Sequence, residues 1–256
     1  MYKVLLVLAS VVALKRPQHN ALSVRGGEFA LDADTAIKVG TGIMGASGLY
    51  CYVDPAGNLA QYGITKTDAS GVDNMRWAGA NQLTLAAIFA ADPEKAVGLA
   101  GYYAAWNLIA SSPATLATGF PKEALYGWAA VCAALGYKTL QGEASPWLLV
   151  GVWGMNGLQQ HFMQDQTIEM YGAKKQSALG KTMMGIAGQS MIIAATYLGA
   201  LTQGKSQAES FAISWVVGGL FAAKWAFTEA EDLGAPKAGP LAWSVISAGI
   251  AYVCNK

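Results

Sequence analysis

The chain is poor in charge and in the side chains that most catalytic and metal sites use. Only 13% of its 256 residues are charged, against about 25% in ordinary soluble domains. Its three cysteines, Cys51, Cys132 and Cys254, are too few and too dispersed for a disulfide framework or a zinc site. The sequence contains no recognisable Ser/His/Asp set, Cys/His pair, phosphate-binding loop or His-Glu-x-x-His motif. These absences predict a protein that binds no metal and no cofactor.

A strong charge of either sign is missing as well. The formal net charge is +1, and the basic residues are scattered apart from Lys174 and Lys175, which argues against a nucleic-acid partner. In contrast, 54% of the residues are apolar, and the chain has 30 glycines. A soluble domain of this size needs a charged shell, and this composition is instead typical of a polytopic helical membrane protein. We therefore expect an all-α bundle whose main partner is the lipid bilayer.

One unit of the sequence occurs twice, 109 residues apart. Residues 42–106 and 151–215 share 15 identities in 65 positions without a gap, among them the pairs Gly42/Gly151, Gly45/Gly154, Gly48/Gly157, Tyr62/Tyr171 and Trp106/Trp215. Near the end of the chain the spacing becomes 115, as in Trp128 and Trp243, because of a six-residue insertion around Gly234–Gly239. The pattern predicts a tandem duplication, with the first unit over residues 28–140 and the second over residues 141–256.

Each unit offers four apolar segments separated by proline, glycine and aspartate. Their length and their Ala, Leu, Met and Gly content favour helices over strands. The eight predicted helices are Ala36–Val53, Trp77–Ala91, Ala96–Ala110, Ala124–Tyr137, Pro146–Phe162, Thr182–Thr202, Phe211–Phe227 and Leu241–Val253. Because four is an even number, each unit starts and ends on the same side of the membrane. We therefore expect two parallel four-helix repeats, related by an axis along the membrane normal.

The residues kept in both units indicate packing surfaces. The pattern G-x-x-G-x-x-G-L occurs at Gly42 and again at Gly151. Glycines three residues apart form a stripe along a helix that lets another backbone approach closely. The recurring tryptophans predict interfacial anchoring or core packing. Buried amides are expected to hydrogen-bond between helices; they are Asn81, Gln82, Asn107, Asn156 and Gln189.

The first residues read as a targeting leader over residues 1–27. Lys3 precedes the apolar run Val4–Leu14, which is too short to span a bilayer and is typical of a signal peptide. The following stretch, 15–27, is basic and contains no acidic residue. This arrangement resembles the bipartite targeting leader of algae with secondary plastids. The resemblance implies entry through the secretory pathway and a plastid membrane; the alternative is a secretory or endomembrane protein with a short mature tail.

The most polar cluster beside an apolar helix is the only candidate for a chemical or ligand site. If the fifth helix continues past its apolar part, His161, Asp165 and Glu169 lie at i, i+4 and i+8 on one face, next to Gln160. Such a face could bind a ligand or relay a proton, or it could be a solvated helix end. Lys224 lies inside an apolar segment, where it is either functional or extends its ammonium group to the membrane surface.

Two functions fit these observations. The first is a non-enzymatic membrane bundle that binds or passes a small hydrophobic molecule, or that scaffolds a complex with other membrane subunits. The second is a membrane enzyme that acts on a lipid, sterol or quinone and uses the His161 cluster as its polar centre. The poverty of reactive side chains favours the first function.

Overall fold

A computed structural model of the chain describes residues 32–256, so the leader predicted over residues 1–27 lies outside the described residues. Within this range the protein is all-α, as predicted, with eleven helices and no strand. The helices are α1 (Ala33–Val53), α2 (Pro55–Gln61), α3 (Ala69–Ala90), α4 (Pro93–Ala110), α5 (Ser112–Ala117), α6 (Lys122–Leu140), α7 (Pro146–Phe162), α8 (Gln164–Met170), α9 (Ala178–Thr202), α10 (Gln207–Thr228) and α11 (Ala238–Cys254).

The eight apolar segments form the eight long helices, and the structure adds three short ones. The short helices α2 and α5 begin beside Pro55 and Pro113, which the sequence marks as breakers, whereas α8 begins at Gln164, where no proline or glycine marks a break. For example, α2 begins at Pro55, whose missing N–H costs nothing in a first turn, and the Asp54 side chain accepts a hydrogen bond from the Gly57 N–H at 2.9 Å. A turn residue and a proline can therefore start a helix here as readily as they end one.

Helix α3 begins eight residues before its predicted start. Its first two turns contain Asp73 and Arg76, which form an ion pair at 3.6 Å, so they lack the apolar pattern used for the prediction. The Asp68 side chain caps this start by accepting a hydrogen bond from the Gly71 N–H at 2.9 Å. Side-chain capping of this kind fixes a helix start independently of hydrophobicity.

Helix boundaries in the two halves of the chain correspond closely. Helices α1 and α7 end at Val53 and Phe162, and α3 and α9 begin at Ala69 and Ala178, all at the 109-residue spacing. The short helices α2 and α8 have both ends at that spacing. The turns that follow them each contain a glycine with positive φ, Gly63 and Gly172.

Helices α3 and α9 form the centre of the bundle. Helix α1 packs along α3, α7 packs along α9, and the pairs α4/α6 and α10/α11 flank them. At the crossing of α3 and α9, a side chain added to Gly71 would collide with Leu179, and one added to Gly180 would collide with Ser70. These two contacts exchange equivalent positions of the two halves, which is how a twofold-related interface is built.

Two of the three glycines in each stripe lie against a neighbouring helix, as predicted. A side chain on Gly48 would approach the Leu83 backbone nitrogen to 2.8 Å, and one on Gly157 would approach the Gly188 carbonyl oxygen to 2.8 Å. The middle glycines, Gly45 and Gly154, each face an alanine of that helix at 3.6 Å. The prediction is wrong for Gly42 and Gly151, which face open space, because the helices diverge from the close crossing.

The surface of the bundle is rich in large apolar side chains. Helices α1, α4, α6, α7, α10 and α11 all expose such residues, whereas the central pair α3 and α9 exposes none of them. The most exposed are Val245 at 73%, Phe227 at 69%, Val53 at 68% and Leu220 at 66%. By length and composition, two helices of the described range, α9 and α10, are apolar enough to cross a membrane, and much of α9 is buried inside the bundle.

Candidate functional site

The structure does not bring the predicted polar cluster onto one helical face. Helix α7 ends at Phe162 and α8 begins at Gln164, with Met163 in a non-helical conformation between them. Asp165 and Glu169 are exposed, and Asp165 forms an ion pair with Lys181 on α9. The break removes the i, i+4, i+8 relationship on which the sequence hypothesis depended.

His161 is buried between helices rather than open to a cavity. Its Nδ1 lies 3.2 Å from the Gly185 carbonyl oxygen on α9, and its ring packs edge-on against Phe162 and Phe221 with centroids 4.4 and 4.9 Å away. Lys224 is partly exposed near the end of α10 and pairs with Glu229. His161 is thus enclosed between helices, with its Nε2 buried and without a hydrogen-bond partner among the described residues, and Lys224 lies near the helix end.

Gln160 is the one member of the predicted cluster that lines a cavity. The bundle contains two clefts, which we call the first and the second cleft. The first cleft, about 160 Å³ in volume, lies between α1–α3 of the first half and α9–α11 of the second half. The second cleft, about 90 Å³, contains Gln160 and lies between α7–α9 of the second half and α3–α6 of the first half.

The two clefts occupy corresponding positions. Eleven lining residues of the first cleft have their counterpart 109 residues away in the lining of the second, and three on α11 have theirs at the spacing of 115 on α6. Examples are Met44/Trp153, Cys51/Gln160, Asn58/Thr167, Tyr62/Tyr171, Met75/Met184, Ile186/Trp77 and Trp243/Trp128. The relation also holds in the reverse direction: Trp77 of the first half lines the second cleft, and its second-half counterpart Ile186 lines the first cleft.

The register of α10 relative to α4 differs from the 109-residue spacing. On α10 the first cleft is lined by Ser214, Trp215, Ala222 and Trp225, and the second cleft is lined by the residues 107 positions earlier, Asn107, Leu108, Thr115 and Thr118. Trp215 therefore corresponds to Leu108 and not to Trp106. Accordingly, Trp215 is 3% exposed and Trp106 is 52% exposed, so the identity between these two tryptophans marks no shared role.

Both clefts contain buried polar atoms without a hydrogen-bond partner in residues 32–256. In the first cleft these are the indole Nε1 of Trp215 and of Trp225, the Nε2 of Gln189 and the Oδ1 of Asn58. In the second they are the indole Nε1 of Trp77 and of Trp153, the Oδ1 of Asn107 and the Oε1 of Gln160. Buried polar groups in native proteins are nearly always paired with protein or water, and eight of the thirteen unpartnered side-chain atoms of the described residues belong to residues that line the two clefts.

The accessible surface of both clefts is mostly apolar, and their lining carries no Asp, Glu, Lys or Arg among the described residues. In the same part of the chain, no group of three or more His, Cys, Asp or Glu side chains is placed to hold a metal ion. Such a surface can bind a neutral molecule by burial of its apolar body and by a few hydrogen bonds.

Sequence reasoning missed the clefts and named only Gln160 among their unpartnered atoms as a site residue. It assigned the amides to contacts between helices, and two such contacts exist: Asn107 donates to the Asn81 Oδ1 at 2.9 Å, and the Ser47 hydroxyl donates to the Gln82 Oε1 at 3.1 Å. One feature of the sequence could have indicated the clefts, namely the number of amide side chains in apolar segments. Four of these amides line a cleft: Gln82, Asn107, Asn156 and Gln189.

The sequence matches no protein-family model, and comparisons with curated proteins and with solved structures find no match. The clefts are thus defined by their geometry alone.

Proposed function

We propose that the protein is a membrane-embedded helical bundle that binds or passes small, neutral, hydrophobic molecules through its two clefts. The observation that carries the proposal is the pair of apolar clefts, each with four buried polar atoms that find no partner within residues 32–256. An apolar cavity with a few polar groups is the usual form of a small-molecule site.

The distribution of charge and apolar surface supports a membrane location. Each of the eight long helices contains at least 14 consecutive residues without Asp, Glu, Lys or Arg. These helices have 17 to 25 residues, so they are roughly 25–38 Å long, against about 30 Å for the hydrocarbon core of a bilayer. All the exposed large apolar residues except Met163 and Met170 lie on the six helices that surround α3 and α9, where lipid would cover them.

The shared helix boundaries, the reciprocal contacts of Gly71 and Gly180, and the corresponding clefts support a tandem duplication. They also support a parallel arrangement of the two halves about a common axis between α3 and α9. In this proposal each half contributes walls to both clefts, so neither half forms a complete site alone.

Membrane insertion and ligand binding are tested separately. After alkaline carbonate extraction of native membranes, the protein is expected in the pellet; recovery in the supernatant would contradict insertion. The purified full-length protein in nonionic detergent is then titrated with 1-aminoanthracene, a neutral fluorescent probe. Saturable binding that competes with unlabelled hydrocarbons is expected, and its absence would contradict the ligand-binding function.

We further propose that residues 1–27 are a cleaved leader that directs the protein through the secretory pathway to a plastid membrane. The basis is the basic, short apolar and acid-free sequence alone. N-terminal sequencing of the protein from its native membrane is expected to start after about residue 13 or after residue 27. An intact Met1 would contradict the proposal.

A further inference from the structure

Resting on the proposed function, we infer that the first cleft selects neutral molecules that carry a carbonyl-type oxygen on an apolar body, such as quinones and cyclic ketones. The inference starts from the chemistry of its polar lining. Three of the four unpartnered buried atoms in this cleft are nitrogens that donate hydrogen bonds. The ligand must therefore bring acceptors.

The inference depends mainly on two indole N–H groups. An indole N–H is a donor only, with no alternative tautomer or flipped orientation. Trp215 and Trp225 are 3% and 8% exposed, lie ten residues apart on α10 and both line the first cleft. Neither nitrogen finds an acceptor within residues 32–256. A pure hydrocarbon in the cleft would leave both donors unpaired, which is unfavourable for binding.

The donors occupy different positions in the two clefts. The matching positions in the second cleft hold Leu108 and Thr118, and the counterpart of Gln189 is Ala80. The second cleft instead combines indole donors at other positions with the amide oxygens of Asn107 and Gln160. Its polar lining therefore suits a ligand that both donates and accepts hydrogen bonds. The second cleft thus differs from the first within the same molecule.

Charge and size narrow the ligand class further. No charged residue lines the first cleft within the described range, so a carboxylate or phosphate would be buried without a counter-charge. The volume of about 160 Å³ is close to that of an engineered cavity of about 150 Å³ that binds benzene. A one- or two-ring head group fits this volume, and a longer chain would extend out of the cleft.

The test compares two probes of the same shape on the full-length protein in nonionic detergent. The probes are 2,3-dimethyl-1,4-naphthoquinone and 2,3-dimethylnaphthalene, and binding is measured by equilibrium dialysis. The methyl groups block addition of the Cys51 thiol, which also lines the cleft. We expect the quinone to bind roughly tenfold more tightly, or more, because it satisfies donors that the hydrocarbon leaves unpaired.

Variants then assign the difference to the first cleft. Trp225→Phe and Trp215→Phe are each expected to weaken quinone binding roughly three- to tenfold while hydrocarbon binding stays unchanged. Trp106→Phe, at an exposed tryptophan of α4, is the matched control and should change neither. Thermal unfolding of each variant checks its fold, and the comparison of probes on the natural protein holds even if one variant fails to fold.

The outcomes distinguish a wrong carbonyl assignment from a wrong proposed function. Equal affinity for both probes, or quinone binding that neither indole substitution weakens, would overturn the carbonyl assignment and leave the proposed function intact. Saturable binding of neither probe would overturn the proposed function itself.

Discussion

The two clefts have the same place in the fold and different polar linings. Their apolar positions correspond residue by residue, for example Met75 with Met184 and Leu59 with Ile168. Their unpartnered polar atoms come from non-corresponding positions, since Trp225 has Thr118 as its counterpart and Trp77 has Ile186. The two clefts thus share much of their apolar lining, whereas their unpartnered polar atoms differ.

The two halves are also similar in one part of their sequence and different in another. Identities are dense from Gly42 to Ala91, where four pairs of helix boundaries also lie 109 residues apart, and almost vanish afterwards. The reason is visible at the close crossings: the four glycines Gly48, Gly79, Gly157 and Gly188 have backbone atoms of the opposite helix within 3 Å of an added side chain. Helices α4 and α10 do not share such a constraint: Gly101 of α4 has the Cys132 carbonyl oxygen of α6 2.5 Å from an added side chain, whereas no glycine of α10 lies within 3 Å of another helix backbone in this way.

The largest loss of stability is expected when a side chain is introduced where two helix backbones cross closely. Gly48→Leu and Gly157→Leu should each lower the free energy of unfolding by about 1–3 kcal/mol or more, because the new side chain meets backbone that cannot move aside. Gly42→Leu and Gly151→Leu, on the same helices but facing open space, should leave it nearly unchanged. Denaturation of the detergent-solubilised protein measures all four; equal stability of Gly157→Leu and Gly151→Leu would contradict the described packing of α7 on α9.

Much of this architecture could be predicted from the sequence, for a physical reason. Long apolar stretches without charge must bury their backbone polar groups, which favours helices, and these stretches became the eight long helices. The short helix α2 and the early start of α3 escaped prediction because caps such as Asp54 and Asp68 determine them, and these residues also occur in loops. A helix break at Met163 was equally hidden, and it undid the predicted His161 face.

The clefts could not be predicted, because each is formed by residues more than 100 positions apart. Cys51 and Trp225 line one cleft, yet nothing in the sequence near either residue indicates the other. The 109-residue register also misled the comparison at Trp215, because an identity does not show that two positions face the same surroundings. Side chains that face a cavity become recognisable only when the helices are packed.

A second prediction concerns a buried polar contact that only one half possesses. Asn107 donates to Asn81 between α4 and α3, and both side chains are almost fully buried. Their counterparts Ser190 and Ser214 bond to carbonyl groups of their own helices. Asn107→Ala should therefore lower the free energy of unfolding by about 1–3 kcal/mol, because it leaves the Asn81 oxygen unpaired, whereas Ser214→Ala should lower it by less than about 1 kcal/mol.

Chemical denaturation in detergent would measure both variants, with Asn81→Ala/Asn107→Ala as the coupling control. If the two residues act through their mutual hydrogen bond, the double variant loses less stability than the sum of the single variants. Additive losses would show that the interhelical hydrogen bond contributes nothing of its own.

A smaller effect is expected at the helix starts, where the two halves use different caps. The Asp68 side chain accepts hydrogen bonds from the Gly71 N–H and the Ser70 hydroxyl, while the Ser177 hydroxyl accepts from the Gly180 N–H at 2.9 Å. Replacement of either cap by alanine should lower the unfolding free energy by about 0.5–2 kcal/mol. Each cap makes two side-chain hydrogen bonds, since the Ser177 hydroxyl also lies 2.8 Å from the Ser70 hydroxyl. Asp68→Ala should have the larger effect, because hydrogen bonds to a carboxylate are the stronger ones; a larger loss in Ser177→Ala would reverse that ranking.

The smallest effect is a pH dependence that only the first half should show. Partial burial alone would raise the pKa of Asp68, but hydrogen bonds from Gly71, Ser70 and Ser177 outweigh it and lower the pKa below its ordinary value of 3.8. Because the folded-state pKa is the lower one, the contribution of the Asp68 carboxylate is fully present above the unfolded-state value. It is lost as the pH falls through the folded-state value.

Stability of the natural protein should therefore decrease more than that of Asp68→Asn between about pH 6 and pH 3. Ser177→Ala should reduce this difference, since its hydroxyl helps to hold the Asp68 pKa down. Urea denaturation in nonionic detergent over this pH range measures the three proteins, and parallel curves for the natural protein and Asp68→Asn would show that the carboxylate titrates alike in the folded and unfolded chain.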